Sequence, residues 1–321
     1  MPISNYPNGF ANGLNLRGVP VELPNPGRVF WVNNSTVLPA NGIGGSNGNP
    51  GTYLKPFATI DYAVERCTAN RGDVIYVMPG HIETVATAAA VALDVAGISV
   101  IGLGKGTKRP RFNFTATAGT VTVNAPNVAI VNMNFRASVS AVVIGLSVLT
   151  LATNCLVKSC VFDATIAGTD EFNRSINVGV GCDGFAAEDN KMDMGIAGAA
   201  AAISLIGASN DMTIQRNTIQ GDYSVANIES DTTASTRVHI LDNLLINGLS
   251  TDINAKPVLE CGALTTSGIV ARNYILADLA TQAAATVGTD LVYFENFRSD
   301  EKGAGITGHT SSATILISAD G

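Results

Sequence analysis

A short apolar phrase that returns about every 27 residues, polar bends between its strand-like runs, and a low content of charge together predict an all-β chain wound as a right-handed parallel β-helix. The expected solenoid has about nine coils of roughly 27 residues, with a short N-terminal capping helix and an extended N-terminal arm. Four segments follow: 1–50 as extended arm and loop, 51–72 as capping segment with the short helix, 73–300 as β-helix, and 301–321 as C-terminal strand or tail.

The phrase is plainest in Val128–Phe135, Leu156–Phe162, Met212–Ile219, Val238–Leu245 and Ile269–Ile275. Stacked on a common anchor, it puts Pro79, Leu103, Met133, Cys160, Asn190, Asn217, Asn243, Asn273 and Asn296 in one column, with gaps of about 23 to 30 residues. Three positions before the anchor the residue is always apolar or aromatic, from Tyr76 and Val100 to Val270 and Tyr293. Five before, only Gly268 breaks the apolar series. These two positions share parity and so face one side of a strand, while the apolar residue two after the anchor opens a second strand beyond a bend. Asparagine suits that bend, because it tolerates the left-handed conformation and its amide can hydrogen-bond from one coil to the next. Asn190, Asn217, Asn243, Asn273 and Asn296 are therefore expected to form a structural ladder. The residue just before the anchor alternates in sign through Asp189, Arg216, Asp242, Arg272 and Glu295, the pattern of an outward charge ladder.

Residues 1–50 are rich in Asn, Gly and Pro, as in Tyr6-Pro7-Asn8-Gly9 and Pro24-Asn25-Pro26-Gly27, and read as an arm that buries little core by itself. They nevertheless carry Phe10, Leu14, Leu16, Phe30 and Trp31, which suit a groove or a sheet edge of a neighbouring subunit and are the expected assembly residues. Between Pro56 and Cys67, apolar residues at Phe57, Ile60, Ala63, Val64 and Cys67 with Thr59 near the start predict a short amphipathic helix over the first coil. Solenoids need such a cap, since an open end exposes core and strand edges.

The run Gly51-Thr52-Tyr53-Leu54-Lys55-Pro56-Phe57-Ala58-Thr59-Ile60, then Ala63 and Gly72-Asp73-Val74-Ile75-Tyr76-Val77-Met78-Pro79-Gly80, resembles the opening segment of pectate-lyase-like β-helix proteins. The resemblance implies the parallel β-helix fold but no particular activity, since that superfamily holds lyases, hydrolases and inert phage structural proteins. The arm Asn8–Pro20 running into Gly27–Val32 is similar to arms of tailed-bacteriophage virion proteins.

Chemistry is bounded by composition. With 19 Lys+Arg against 26 Asp+Glu the net charge is −7, which argues against nucleic acid as a partner; a membrane partner is equally unsupported. The N-terminus has no basic stretch leading into an apolar run, which predicts assembly in a host cytoplasm. Five dispersed cysteines without nearby histidines predict neither a disulfide framework nor a metal site. The acidic candidates are Asp163, Asp170 and Glu171; Asp189 and Asp193; and Asp222, Glu229 and Asp231, each group read as solvated turn or loop carboxylates. Lys105, Lys108, Arg109 and Arg111 form the one basic cluster, read either as a solvated loop or as a dock for an acidic partner. No catalytic residue, metal ligand or cofactor is expected. The expected function is that of a non-enzymatic bacteriophage virion protein, a homotrimeric capsid decoration or cement protein attached through its arm to the major capsid protein or another virion protein. The alternative is a tailspike or tail-fibre module that binds or cleaves host glycans, acting as a polysaccharide lyase or hydrolase in the second case.

Overall fold

Each coil consists of three short strands, and each strand pairs in parallel with its counterpart one coil away. The computed structural model describes residues 14–16, 19–21, 27–36, 38–150, 152–166, 169–194, 199–230, 234–248, 259–261, 266–277, 285–287, 290–299 and 308–310. Within these, strands assemble into a right-handed parallel β-helix with sheets of ten, ten and eight strands. One turn reads Ala129–Val131, Asn134–Ala137, Val142–Val148; the next reads Leu156–Lys158, Val161–Ala164, Phe172–Val178.

The repeat works because register is kept. Ile130, Val157, Ala187, Ile214, Ile240 and Val270 are successive partners in the first sheet, all fully buried. In the second sheet Phe112, Phe135, Phe162, Met192, Ile219, Leu245 and Ile275 form the matching inward column. A slip of one residue would turn either column out to water, so burial itself specifies the pairing. Phe135 stacks on Phe162 at 4.4 Å and meets Phe112 at 5.0 Å. Cys155, Cys160 and Cys182 are free thiols in this interior, and burial pushes the Cys160 thiol up to about 12, as expected of inert core cysteines.

The first coil departs from the expected register. Ile75, not Tyr76, pairs with Val100, which makes Met78 and not Pro79 the equivalent of the later anchors. The strand Val74–Val77 is apolar on both faces, so alternation does not distinguish the two registers. What does is the outside: Tyr76 lies against Trp31 at 5.1 Å.

The arm and loop expected over 1–50 also ends earlier. Val29–Val32 adds in parallel to Val74–Val77 as the first strand of the first sheet, so Phe30 and Trp31 belong to the rod of their own chain. Val-Phe-Trp-Val is a strong strand sequence, and it covers an edge that would otherwise stay open. Phe30 is buried against Phe57 at 5.8 Å, and Trp31 rests edge-on against Tyr53 at 4.9 Å. Further upstream, Leu14–Leu16 and Val19–Val21 pair antiparallel; the side chains of Leu14 and Leu16, like all of Phe10, lie outside the described residues.

The helix spans Ile60–Glu65, with Thr59 as N-cap accepting from the Tyr62 N–H, and it buries Ile60, Ala63 and Val64. Its first amide, Ile60 N–H, donates to Glu83 Oε2 at 3.0 Å. Glu83 is the register partner of Phe112 and so occupies an inward slot of the second sheet. The same oxygen accepts from His81 Nε2 at 2.8 Å, while His81 Nδ1 accepts from the Asn34 N–H at 3.1 Å. The helix end thus explains why the first coil carries polar residues where later coils carry Phe or Ile. At the far end, Gly308–Thr310 pairs antiparallel with Asn296–Ser299 and breaks the parallel run.

Asp73 ties the first strand to the rod. Its buried carboxylate accepts from the Arg28 N–H at 2.6 Å, the Thr68 N–H at 2.7 Å, and Arg71 Nε and Nη2 at 2.7 and 2.6 Å. Burial pushes this carboxyl up, but Arg71 and the two amides outweigh it and hold it below the usual carboxylate range. A carboxyl depressed in the folded state stabilises the fold above its unfolded pKa, and that stability is lost as pH falls through the folded value. Amide exchange at Val29–Val32 should therefore accelerate ahead of the later coils as pH drops below the ordinary carboxylate range. Asp73→Asn should produce the same local loosening at neutral pH, by about 1.5–3 kcal/mol for the lost charge-assisted bonds. Uniform exchange across all coils in the variant would show that Asp73 does not hold this strand.

Candidate functional site

The most organised polar features of the described chain are columns that run from coil to coil. Asn190, Asn217, Asn243, Asn273 and Asn296 each stand two residues past the end of a first-sheet strand and are nearly or fully buried. From Asn217 on, each Oδ1 is shared by the backbone N–H and the side-chain Nδ2 of the asparagine one coil earlier: Asn217 Oδ1 lies 3.0 Å from both nitrogens of Asn190, and Asn243 Oδ1 2.9 and 3.0 Å from those of Asn217. Asn273 and Asn296 continue the pattern. The second Nδ2 proton goes back to a strand carbonyl, as in Asn217 to Ala187 O and Asn243 to Ile214 O. Cys160 heads the column: its N–H donates to Asn190 Oδ1 at 2.9 Å, and its thiol lies 3.6 Å from Ile130 O.

The left-handed residue of this corner is not the asparagine. Asp189, Arg216, Asp242, Arg272 and Glu295, one position earlier, carry φ between 51 and 56°, and upstream Asn132 and Ser159 take the same conformation at 57 and 54°. The bend therefore falls on the charged residue, whose side chain points to water, while the amide that follows turns into the core. Arg216 Nε donates to Asp189 Oδ1 and Arg272 Nε to Asp242 Oδ1, both at 2.7 Å, and Lys158 Nζ reaches Glu188 at 3.0 Å. Arg216 holds the Asp189 carboxyl below its usual range, and Arg272 does the same for Asp242. Arg237 pairs with Asp211 at the corner that precedes the same sheet.

A second buried column escaped sequence reasoning. The Cys182 N–H donates to Ser209 Oγ at 2.9 Å, the Ser209 N–H to Ser235 Oγ at 3.2 Å, and the Ser235 N–H to Thr266 Oγ1 at 3.4 Å. Its signal was present, since Cys182, Ser209 and Ser235 each stand eight residues before an asparagine of the ladder. In a chain rich in Ser and Thr that coincidence carries little weight without coordinates.

The acidic candidates do not converge. Asp163 is held by Arg136 Nε and Nη2 at 2.9 and 2.7 Å. Asp170 accepts from the Ile166 N–H, and Glu171 from the Ala141 N–H. Glu229 accepts from Ser204 Oγ at 2.7 Å and faces Arg174 at 3.5 Å. Asp193 is the register partner of Gln220, Asp222 is buried two residues further along, and Asp231 lies outside the described residues. Among the described residues no three His, Cys, Asp or Glu side chains come together as a set able to hold a metal ion.

No family model and no curated protein matches the sequence. Among solved structures, the chain is similar to the pectin methylesterase from Aspergillus niger, at 14% identity and a TM-score of 0.45, with 88% of this chain and 96% of that one covered. It is also similar to a rhamnogalacturonan lyase, at 14% identity and a TM-score of 0.35, over 88% and 85% of the two chains.

The columns can do one thing well, which is to lock neighbouring coils in register. Asn243→Leu strands the Asn217 N–H and takes one donor each from the Ile214 carbonyl and from Asn273 Oδ1, which keeps the backbone N–H of residue 243. It should destabilise the rod by about 1–3 kcal/mol for each group left without a partner. The shift of the urea midpoint measures this, and an unmoved midpoint would show that the ladder bears no stability.

Proposed function

We propose that this chain is a non-enzymatic structural protein of a tailed-bacteriophage virion, a capsid decoration protein whose rigid rod is attached to the particle through the residues before Gly27. The observation that carries the reading is the commitment of side chains to coil-to-coil contact: amides in one column, hydroxyls in a second, and corner carboxylates matched by Arg or Lys in a third. Carboxylates held in ion pairs by a neighbouring coil serve as struts, and such an arrangement favours a spacer over a hydrolytic centre. Self-association as a homotrimer forms part of the same proposal. Leu149, Val180 and Ile206, exposed just beyond third-sheet strands in three successive turns, supply an apolar edge for it.

The glycan-binding alternative has one observation in its favour. Tyr274 and Phe297 stack at 5.0 Å on the outer face of the second sheet, beside Asp242, Arg272 and Glu295, and line a cleft of about 300 Å³. Exposed aromatic faces flanked by hydrogen-bonding charges suit a sugar ring.

Deleting residues 2–26 tests the attachment. The truncated rod keeps Val29–Val32 and should melt as the full chain does, yet be lost from purified particles, with mass spectrometry of separated heads and tails as the readout. Normal incorporation of the truncated chain would remove attachment through this segment, and recovery with tails alone would favour the alternative.

A further inference from the structure

In most turns two residues separate the first-sheet strand from the second, as between Val131 and Asn134. One turn departs from this the furthest. After Ser99–Gly102 the chain detours through a 3₁₀ turn at Gly106–Lys108 before Arg111–Phe114 begins. This detour stands beside the outer face of the second sheet and walls a cavity of about 400 Å³. The opposite wall is an outward column in which Arg111 pairs with Asn134, Asn134 with Val161, and Val161 with Lys191. Arg109, Arg136 and Asp163 complete it.

Two features mark this cavity as a binding site. Its charge opposes that of the whole chain, with four cationic side chains and one carboxylate in a protein of net charge −7. Arg136 is spent on Asp163, and Arg109 Nη1 donates to Ser159 O at 2.9 Å, but Arg111 and Lys191 form no ion pair among the described residues. The second feature is a pair of buried orphans: Arg111 Nε has no acceptor and Asn134 Oδ1 has no donor. Asn134 is 8% exposed, and its Nδ2 is already engaged by Asp163 at 3.0 Å, which fixes Oδ1 as the atom in need. A buried polar atom left without a partner is uncommon in folded proteins, and where a donor and an acceptor of this kind both line one cavity, a bound group accounts for both.

We propose that this cavity binds a phosphate or sulfate ester that also carries a hydroxyl group. The oxyanion meets Arg111 Nε and the Lys191 ammonium, and the hydroxyl donates to Asn134 Oδ1. The cations come from the detour, from two neighbouring coils and from a third coil beyond, so they surround the space. A tetrahedral oxyanion offers acceptors in several directions, whereas a carboxylate offers them in one plane. The cavity volume is that of a small-molecule site.

Calorimetric titration of the full chain at low ionic strength with glycerol 3-phosphate, glycerol 3-sulfate, inorganic phosphate, D-glycerate and glycerol tests the proposal. One equivalent of glycerol 3-phosphate or of glycerol 3-sulfate should bind, the stronger of the two naming the anion, with D-glycerate at least tenfold weaker and glycerol silent. Arg111→Gln should weaken the ester at least tenfold, and Lys55→Gln, a cation in the cap, should leave it unchanged. Asn134→Ala should retain inorganic phosphate but erase the preference of the site for the hydroxylated ester. If Arg111→Gln does not fold, Lys191→Gln and an ester-dependent rise in the melting temperature of the unmodified chain serve in its place. No saturable binding of either ester, equal binding of D-glycerate, or binding that survives loss of both cations would overturn the assignment.

Discussion

The rest of the rod depends on one corner, where a charged residue takes a left-handed conformation so that the asparagine after it can turn inward. Asp189, Arg216, Asp242, Arg272 and Glu295 are all non-glycine residues with φ above 50°, a conformation that is unfavourable for side chains bearing a Cβ. It persists because the asparagine that follows is tied into a buried column, where Asn243, for example, accepts two hydrogen bonds and donates two. The bend and the ladder cannot be separated. Without the left-handed residue the amide would face water, and without the amide a backbone N–H at every coil would be buried with no acceptor.

Stacking of identical corners brings like positions to within one strand spacing, about 4.8 Å, and this decides what the outer residue can be. A column of carboxylates at that distance would repel itself. Alternation of sign through Asp189, Arg216, Asp242 and Arg272 converts the repulsion into ion pairs at 2.7 Å. The pairs are exposed and screened, so they discriminate between registers more than they add stability. A coil displaced by one position in the stack would set like against like, so the inner amides and the outer charges select the same register.

Much of this was legible from spacing. The period, the inward columns, the asparagine column and the sign alternation rest on residues that differ chemically from their neighbours, as Asn217 does between Arg216 and Thr218. The misreadings have physical causes. Val74–Val77 is apolar on both faces, so alternation alone admits Tyr76 in the inward column, and the stack on Trp31 that decides the register is a contact between residues 45 apart in sequence. Intrinsic tolerance points to asparagine as the left-handed residue, whereas tertiary hydrogen bonding places that conformation one position earlier, on Asp189, Arg216, Asp242, Arg272 and Glu295. The cavity beside Arg111 was visible only as a basic run. Its other wall comes from Asn134, Val161 and Lys191, in three later coils, and no local pattern joins them.

The two halves of the rod are held by different forces, and the exchange between them occurs within one turn. From Phe112 to Phe162 the inner column of the second sheet is aromatic, with Phe112, Phe135 and Phe162 at 5.0 and 4.4 Å; beyond it Met192, Ile219, Leu245 and Ile275 take over. The amide ladder starts where the aromatic stack stops, and Cys160 and Phe162 serve both, one donating its N–H to Asn190 and the other stacking on Phe135. Large rings fill a coil by area alone and need little direction from the corner. Smaller aliphatic side chains bury less apolar surface, so directional bonds have more of the register to specify. The ends follow the same division. The aromatic end is closed by an amphipathic helix that buries Ile60, Ala63 and Val64, whereas the amide end is met by the antiparallel strand Gly308–Thr310, which pairs with the backbone of Asn296–Ser299.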